Sequence, residues 1–217
     1  MKDLHAVRGA QRLRQMIAEG EHETQDFKFS ISDARKIARS LSAFANCRGG
    51  RLLIGVKDNG VIAGVRNEED IFVVEQAAQR YCRPEQHVDF QAYKTEDGTR
   101  VIVASIEASH TRPVTVAESD GKLKAYYRVA DENIAAHPLM VRAWQSAAAG
   151  RNTGLGAIHA QALGTIARLG HIDDARQLAL EMHIGLKNAE QILDTLADAD
   201  LLDFFFDGTA FRIGRKE

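Results

Sequence analysis

Apolar and polar residues alternate with a helical period over much of the first fifty residues. Residues 1–18 carry apolar side chains at helical spacing before Gly20, a pattern typical of an amphipathic helix that ends at a glycine. Ser30-Ile-Ser-Asp33 has the form of a capping box, and apolar residues then recur every three or four positions as far as Asn46. We therefore predict an N-terminal helix over 1–18 and a second helix from about Ser32 to Asn46.

The pattern changes from helix to strand after Asn46. Gly49-Gly50 breaks the helix, Arg51–Val56 is an apolar run, and Asp58-Asn-Gly60 predicts a hairpin turn into Val61–Val65. Further along, the pattern predicts a helix, three strands and a helix, in that order: 68–82, 88–94, 100–107, 122–129 and 138–149. Because strands and helices alternate without a regular βαβ rhythm, the predicted class is α+β, with a mixed sheet and packed helices.

The last third of the chain has a different organisation. Residues 150–154 are typical of a linker, three helices are predicted over 157–169, 173–182 and 188–198, and a hairpin over 201–213. Three helices followed by a hairpin predict a small winged-helix domain. The predicted organisation is therefore an N-terminal helix (1–18), a central domain (19–150) and a winged-helix-like domain (155–217).

Charge divides between these parts. The net charge of the 217 residues is −2, but residues 1–154 hold 22 basic and 20 acidic residues, whereas residues 155–217 hold 6 and 10. A polyanion would therefore favour the first part. The opening residues contain neither a signal-peptide core nor a membrane span, which predicts a cytoplasmic protein with no membrane partner. Cys47 and Cys82 lie too far apart for a metal motif and are predicted to be buried free thiols.

Four stretches occur in a distinctive order and spacing. They are Gly20-Glu-His-Glu-Thr-Gln-Asp-Phe-Lys28; Ser42-Ala-Phe-Ala-Asn46 with Gly49-Gly50; Leu53-Ile-Gly-Val56 with Asp58-Asn-Gly60 and Gly64; and Tyr126-Tyr-Arg-Val129. Together they resemble the Schlafen AlbA-like family over about residues 15–147. The most specific part is the Phe-Ala-Asn-x-x-Gly-Gly-x-Leu-Leu-Ile-Gly-Val segment.

The resemblance implies a nucleic-acid-binding protein of the transcriptional-regulator type, acting on DNA or RNA, with a C-terminal winged helix. Vertebrate members of the family contain two such lobes in one chain, so the resemblance also implies a homodimer here. Related proteins are sometimes described as ATP-binding, but the chain contains no phosphate-binding loop motif that would support ATP. No cofactor is therefore predicted with certainty.

Some family members are metal-dependent RNA endonucleases, which implies a second function for the acidic residues. Glu21 and Asp26 match the first two acids of the family pattern, with Asp in place of the usual Glu, and Asp58 is the candidate third acid. Such carboxylates would bind Mg²⁺ or Mn²⁺, and Lys28 would stabilise charge on the scissile phosphate. The alternative is that these acids are solvated loop and turn residues.

Basic residues gather around the second helix and its diglycine break. The candidates for contact with nucleic acid are Arg35, Lys36, Arg39, Arg48, Gly49, Gly50, Arg51, Lys57 and Arg128. We expect the side chains to form one continuous surface that contacts phosphate oxygens, and the glycine N–H groups to bind an anion. The alternative is a solvated helix face whose charge is diluted by neighbouring acids.

The predicted last helix of the tail is acidic. It carries Glu190, Asp194 and Asp198, and Lys187 is the only basic residue near it. Because an acidic helix repels a DNA groove, we predict a role for the tail in protein contact or dimerisation. The binding function is thus the first prediction, and a nuclease that uses Glu21, Asp26 and Asp58 is the alternative.

Overall fold

The computed structural model describes residues 7–65, 69–149 and 154–217, which divide into two compact units, Met1–Ala135 and Ala136–Glu217. The strands and helices of the N-terminal unit are, in chain order, β1 (Val7–Arg8), α1 (Ala10–Ala18), β2 (Gln25–Lys28), α2 (Ala34–Asn46), β3 (Gly50–Ile54), α3 (Glu69–Gln76), a π-helical turn (Ala77–Tyr81), β4 (Cys82–Arg83), β5 (Asp89–Lys94), β6 (Arg100–Ile106), β7 (Thr115–Ala117), β8 (Leu123–Val129) and β9 (Glu132–Ala135).

Two sheets form the framework of the N-terminal unit. The first has the strand order β1-β5-β6-β3-β2 and is mixed, because β1 is parallel to β5 and β2 is parallel to β3. The second is antiparallel, with the order β4-β7-β8-β9. Helix α2 packs against β3 and β6 of the first sheet and against all four strands of the second. The predicted α+β class, with a mixed sheet and packed helices, is confirmed.

Helix α2 begins two residues later than predicted and ends at the predicted Asn46. Asp33 is the N-cap and accepts hydrogen bonds from the backbone N–H groups of Arg35 and Lys36, whereas the capping box had placed the cap at Ser30. Every residue from Ser40 to Asn46 is buried. The helix is therefore amphipathic only in its first two turns, because its second half is enclosed by protein on all sides.

The remaining differences from the predicted elements are local. The N-terminal helix begins at Ala10, since Val7–Arg8 pairs with β5 as a strand; residues 1–6 lie outside the described residues. Residues Val61–Val65 make one bridge, between Ile62 and Val56, where a full strand was expected. The short strands β7 and β9 were not predicted, because stretches of three or four residues carry too little alternation to recognise.

The C-terminal unit contains α4 (Pro138–Ala148), α5 (Ala157–Leu169), α6 (Ala175–Met182), α7 (Leu186–Asp198) and the hairpin of β10 (Leu202–Phe206) and β11 (Phe211–Arg215). Ile172, between α5 and α6, forms a two-way backbone pair with Ile213 of β11 at 2.9 Å in each direction. The core of this unit contains Leu139, Ile166, Leu178 and Leu193.

Helix α4 belongs to this second unit. Leu139 lies in its core, Arg142 pairs with Asp194 at 2.8 Å, and Ser146 donates to Asp198 at 2.6 Å. The boundary between the two units therefore lies between residues 135 and 136 of the sequence, before the linker predicted at 150–154. Residues 150–153 of that linker lie outside the described residues. Within the described part of the chain, no helix is both long and apolar enough to cross a bilayer.

Candidate nucleic-acid interface

The diglycine corner has a packing role. Gly49 has a φ of +77°, and a Cβ there would lie 2.7 Å from the carbonyl oxygen of Ile106. A Cβ on Gly50 would lie 2.5 Å from the ring of Phe44. The N–H of Gly49, expected to face an anion, donates instead to the carbonyl of Phe44 at 2.8 Å and ends the helix.

Asn46, in the most family-specific segment, is also structural. Its side chain is fully buried and donates to the carbonyls of Val114 and Tyr126 at 2.8 and 2.9 Å. Its Oδ1 accepts from the N–H of Val114 at 2.7 Å. This one amide therefore joins the end of α2 to β8 and to Val114, the residue before β7, and it satisfies the buried N–H of Val114.

Arg128 lies in the interior, where no phosphate can reach it. Its side chain is 1% exposed and lies 3.6 Å from Oδ1 of Asp26. The guanidinium donates to the side chain of Asn133 at 2.9 Å and, at longer range, to the carbonyls of His22 and Gln25. Alternation along β8 points Tyr126 and Arg128 inward together, so the predicted nucleic-acid contact at Arg128 is replaced by an internal ion pair.

Two of the three predicted catalytic acids come together. Asp26 is buried in β2, and its Oδ2 lies 2.7 Å from Nζ of Lys28. Glu21 accepts a hydrogen bond from the N–H of Phe27 at 2.8 Å and contacts the Asp26 carboxylate. Burial, followed by the hydrogen bond with Asp26, raises the pKa of Glu21 above its usual value.

Asp58 does not join this pair. Asp26 is in register with Leu52 in the middle of β3, whereas Asp58 lies in the turn that follows the last residue of that strand, Ile54. No cluster of three or more acids, histidines or cysteines that could hold a metal forms among residues 7–65, 69–149 and 154–217. The residues present therefore do not fit the predicted Mg²⁺ or Mn²⁺ site of Glu21, Asp26 and Asp58.

The basic residues near the diglycine corner are engaged locally. Arg51 donates to the side chains of Gln25 and Glu19 at 2.6 and 2.5 Å. Arg48 is exposed and lies 3.8 Å from Glu23, and the Lys57 ammonium lies 5.5 Å from the centre of the Phe29 ring. Arg35 lies in the first turn of α2 and Arg48 lies beyond its last residue, Asn46, so about 16 Å of helix axis separates the two ends. The predicted basic surface is thus not continuous.

Arg35, Lys36 and Arg39 form a separate group on the first turns of α2. They lie at positions i, i+1 and i+4, so they share one side of the helix. Nε of Arg35 donates to the carbonyl of Ala117 at 3.1 Å, and its guanidinium lies 4.9 Å from the centre of the Tyr81 ring. Lys36 is exposed. Arg35 and Arg39 thus face the β7–β8 hairpin, and the three basic residues form an accessible group separate from Arg48 and Lys57.

Two residues that the sequence prediction missed complete this region. Glu118 follows β7, and its carboxylate is paired with Arg39 in a two-pronged contact at 2.9 and 2.6 Å. The contact with Arg39 is the main cause of the lowered pKa of Glu118, and Lys124 in β8 also contributes. Lys124 is exposed. Nothing in the sequence indicated this contact, because Glu118 and Lys124 come near Arg39 only through the β7–β8 hairpin, and its first strand was not predicted.

Comparison with known proteins identifies the family. The family model described as Schlafen, AlbA_2 matches residues 21–137, more than half of the chain. The matched region contains α2, the diglycine corner and the β7–β8 hairpin. The chain therefore belongs to the Schlafen AlbA_2 family.

Two solved structures are also similar to this chain. The DIP2311 protein from Corynebacterium diphtheriae is 17% identical with a TM-score of 0.47, and the match covers 93% of this chain and 37% of that one. The N-terminal domain of an ATP-dependent DNA helicase RecG-related protein from Nitrosomonas europaea is 18% identical with a TM-score of 0.38, covering 61% and 97%. No curated protein matches the chain.

Proposed function

We propose that the N-terminal unit binds the phosphate backbone of nucleic acid through Arg35, Lys36, Arg39 and Lys124, named here the α2–β8 patch. The observation that carries this proposal is the orientation of the two arginines. Each directs its Nε toward residues 117–118 of the hairpin, and Arg39 remains 39% exposed. Membership of the Schlafen AlbA_2 family supports a nucleic-acid ligand.

The chemistry of the patch favours phosphate over base edges. Guanidinium groups form charge-assisted hydrogen bonds with phosphate oxygens, and these contacts position a ligand without reading its sequence. The acids nearby are Asp33, which caps α2, Glu118, which is engaged by Arg39, and Asp120 of the hairpin, which lies 3.8 Å from the Lys122 ammonium. The patch therefore keeps a positive balance that attracts a polyanion.

A titration of the full chain with fluorescent nucleic acids tests the proposal. The probes are single- and double-stranded DNA, transfer RNA and unstructured RNA, each at several salt concentrations. The double variant Arg35→Ala/Arg39→Ala should weaken binding at least tenfold and reduce the slope of log K against log salt by about 1.4–1.8, because two phosphate contacts are lost.

Arg12→Ala is the matched control, because Arg12 is exposed on α1, which packs on the other face of the first sheet. It should leave both affinity and salt slope unchanged. Binding that is indifferent to salt, or equal weakening by both variants, would contradict the proposal.

The regulator-like part of the proposal concerns the C-terminal unit, with a winged helix used for assembly. Two acids of α7, Asp194 and Asp198, are engaged by α4 within that unit. Because α4 packs against the side of α7 that carries these acids, the arrangement supports a role in protein contact rather than insertion of α7 into a DNA groove. The expected homodimer is measured by light scattering of the full chain, and a monomeric mass across the micromolar range would remove it from the proposal.

A metal-dependent nuclease is the second candidate function. The approach of Glu21 and Asp26 favours it, whereas the separation of Asp58 opposes it. Incubation of structured RNA with Mn²⁺ and the wild-type chain, Glu21→Ala or Asp26→Ala distinguishes the two functions. Cleavage lost in both variants would favour the nuclease, and equal products from all three would exclude this site.

A further inference from the structure

We infer that Glu118 is a positioning residue, which orients the Arg39 guanidinium to meet a phosphate group. The inference rests on the proposed function, because it names how one side chain of the α2–β8 patch is prepared for its ligand. It starts from an asymmetry: the side chain of Glu118 is 4% exposed, whereas that of Arg39 is 39% exposed. The acid is thus fixed inside the protein while the base extends outward.

The contacts of Glu118 hold its carboxylate against the Arg39 guanidinium. Oε1 accepts hydrogen bonds from Nε of Arg39 at 2.9 Å and from the hydroxyl of Tyr126 at 2.6 Å, and Oε2 accepts from Nη2 of Arg39 at 2.6 Å. Tyr126 is itself buried in the core of the N-terminal unit. The carboxylate is therefore held from behind by the tyrosine and binds one edge of the guanidinium, which leaves Nη1 directed away from the pair.

The neighbouring arginine is prepared in a parallel manner. Nε of Arg35 donates to the carbonyl of Ala117, the residue before Glu118, and its guanidinium stacks near Tyr81. Two consecutive residues of one hairpin thus orient two arginines that lie one helical turn apart, about 6 Å along the axis. A ligand that meets this pair does not need to order either side chain, which lowers the entropic cost of binding.

Neutralisation is the alternative role for an acid beside an arginine, and it makes the opposite prediction. If Glu118 merely cancelled the charge of Arg39, its removal would make the patch more positive and would strengthen binding to a polyanion. If Glu118 positions Arg39, its removal weakens binding even though the net charge becomes more positive. The sign of the effect therefore separates the two roles.

A double-mutant cycle tests the inference on the full chain with the best-bound probe from the nucleic-acid titration. Glu118→Gln should weaken binding about fivefold, the equivalent of one side chain that must be ordered by the ligand. In the Arg39→Ala background, Glu118→Gln should no longer weaken binding, because there is no guanidinium to position. Tighter binding by Glu118→Gln in the wild-type background would overturn the inference.

Tyr126→Phe is the second variant, in case Glu118→Gln does not fold. It removes only the hydroxyl that donates to Oε1, and about twofold weaker binding that disappears in the Arg39→Ala background is expected. Nuclear magnetic resonance of the Arg39 Nε–H group gives an independent readout, since the slow exchange of this proton with water should be lost in either variant.

The outcomes distinguish failure of the inference from failure of the proposed function. If Arg35→Ala/Arg39→Ala itself leaves binding unchanged, the proposed function fails. If that double variant weakens binding while Tyr126→Phe and Glu118→Gln do not, only the positioning role fails.

Discussion

Arg39 and Arg128 are both paired with buried acids, yet they occupy opposite environments. Arg39 is bound to Glu118 by one edge and remains 39% exposed, whereas Arg128 is 1% exposed and lies against Asp26, Asn133 and two backbone carbonyls. The guanidinium of Arg39 keeps one edge accessible to a ligand, whereas the N–H groups of Arg128 donate hydrogen bonds inside the protein. A positive charge in the sequence is therefore a candidate ligand contact only where the fold leaves part of it accessible.

The largest expected effect separates the two arginines by stability. Arg128→Ala removes one of the two cations beside the buried carboxylate of Asp26 and leaves a cavity in the interior, so the free energy of unfolding should fall by about 3 kcal/mol. Arg39→Ala should cost about 1 kcal/mol, because Glu118 keeps its Tyr126 hydrogen bond and gains access to water. Urea unfolding followed by circular dichroism measures both. Equal losses would remove the distinction between an internal and an accessible arginine.

The second prediction concerns the diglycine corner, whose role is packing rather than anion binding. Gly49→Ala should cost about 3 kcal/mol of unfolding free energy, since strain at a positive φ adds to a clash with the Ile106 carbonyl. Gly121→Ala is the matched control, because Gly121 has the same φ of +77° and open space around it. It should cost about 1 kcal/mol. A stable Gly49→Ala variant with lost nucleic-acid affinity would restore the anion-binding role.

The third prediction compares the pH dependence of the two acids. Because the pKa of Glu118 is lowered, its charged form stabilises the fold above the ordinary value of 4.5, and this contribution is lost as the pH falls through the lowered pKa. Glu118→Gln should therefore cost about 1 kcal/mol at pH 7, a difference that shrinks in acid. Thermal melts between pH 3 and pH 8 measure it.

Glu21 should behave in the opposite way. Its raised pKa means that the charged form is disfavoured in the folded chain, so its contribution to stability is complete below 4.5 and is lost as the pH rises through the raised pKa. Glu21→Gln should consequently raise the melting temperature slightly at pH 7 and have no effect at low pH. A loss of stability at pH 7 would show that the Glu21 carboxylate is favoured by the fold.

The smallest expected effect is a difference in reactivity between the two cysteine thiols. Cys82 is fully buried, and burial raises the pKa of its thiol to about 12, while Cys47 is only partly buried and its pKa is raised less. A thiol reagent at pH 8 should therefore modify Cys47 before Cys82 in the native chain, as mass spectrometry of the digested protein would show. Equal modification of both thiols would indicate that the core around α2 opens.

Long periodic elements could be predicted from the sequence, but the partners of charged side chains could not. Helix α5 spans the predicted residues 157–169, and α2 ends at the predicted Asn46. Arg39 was recognised as a candidate, yet Glu118 lies 79 positions away, in a hairpin whose first strand has three residues. Such a pairing depends on tertiary register, which local periodicity does not contain.

The same limit explains the acidic site. Glu21 and Asp26, paired by the match to the family pattern, are neighbours because Asp26 lies in β2 and Glu21, just before that strand, accepts from the N–H of Phe27. The position of Asp58 depended on how β3 aligns with β2, and the parallel register places it at the far end. The family pattern thus indicated the pair, whereas the position of the third acid depended on tertiary register.

The Asn46 amide has a consequence for how relatives of this chain are interpreted. Its hydrogen bonds hold α2 to two strands, and Gly49 and Gly50 admit the backbone and ring that pack beside them. The residues by which the family is recognised are therefore residues that stabilise the fold, and selection for folding alone would preserve them. Two members can share this signature and bind different ligands, or none, because the side chains of the α2–β8 patch lie outside it.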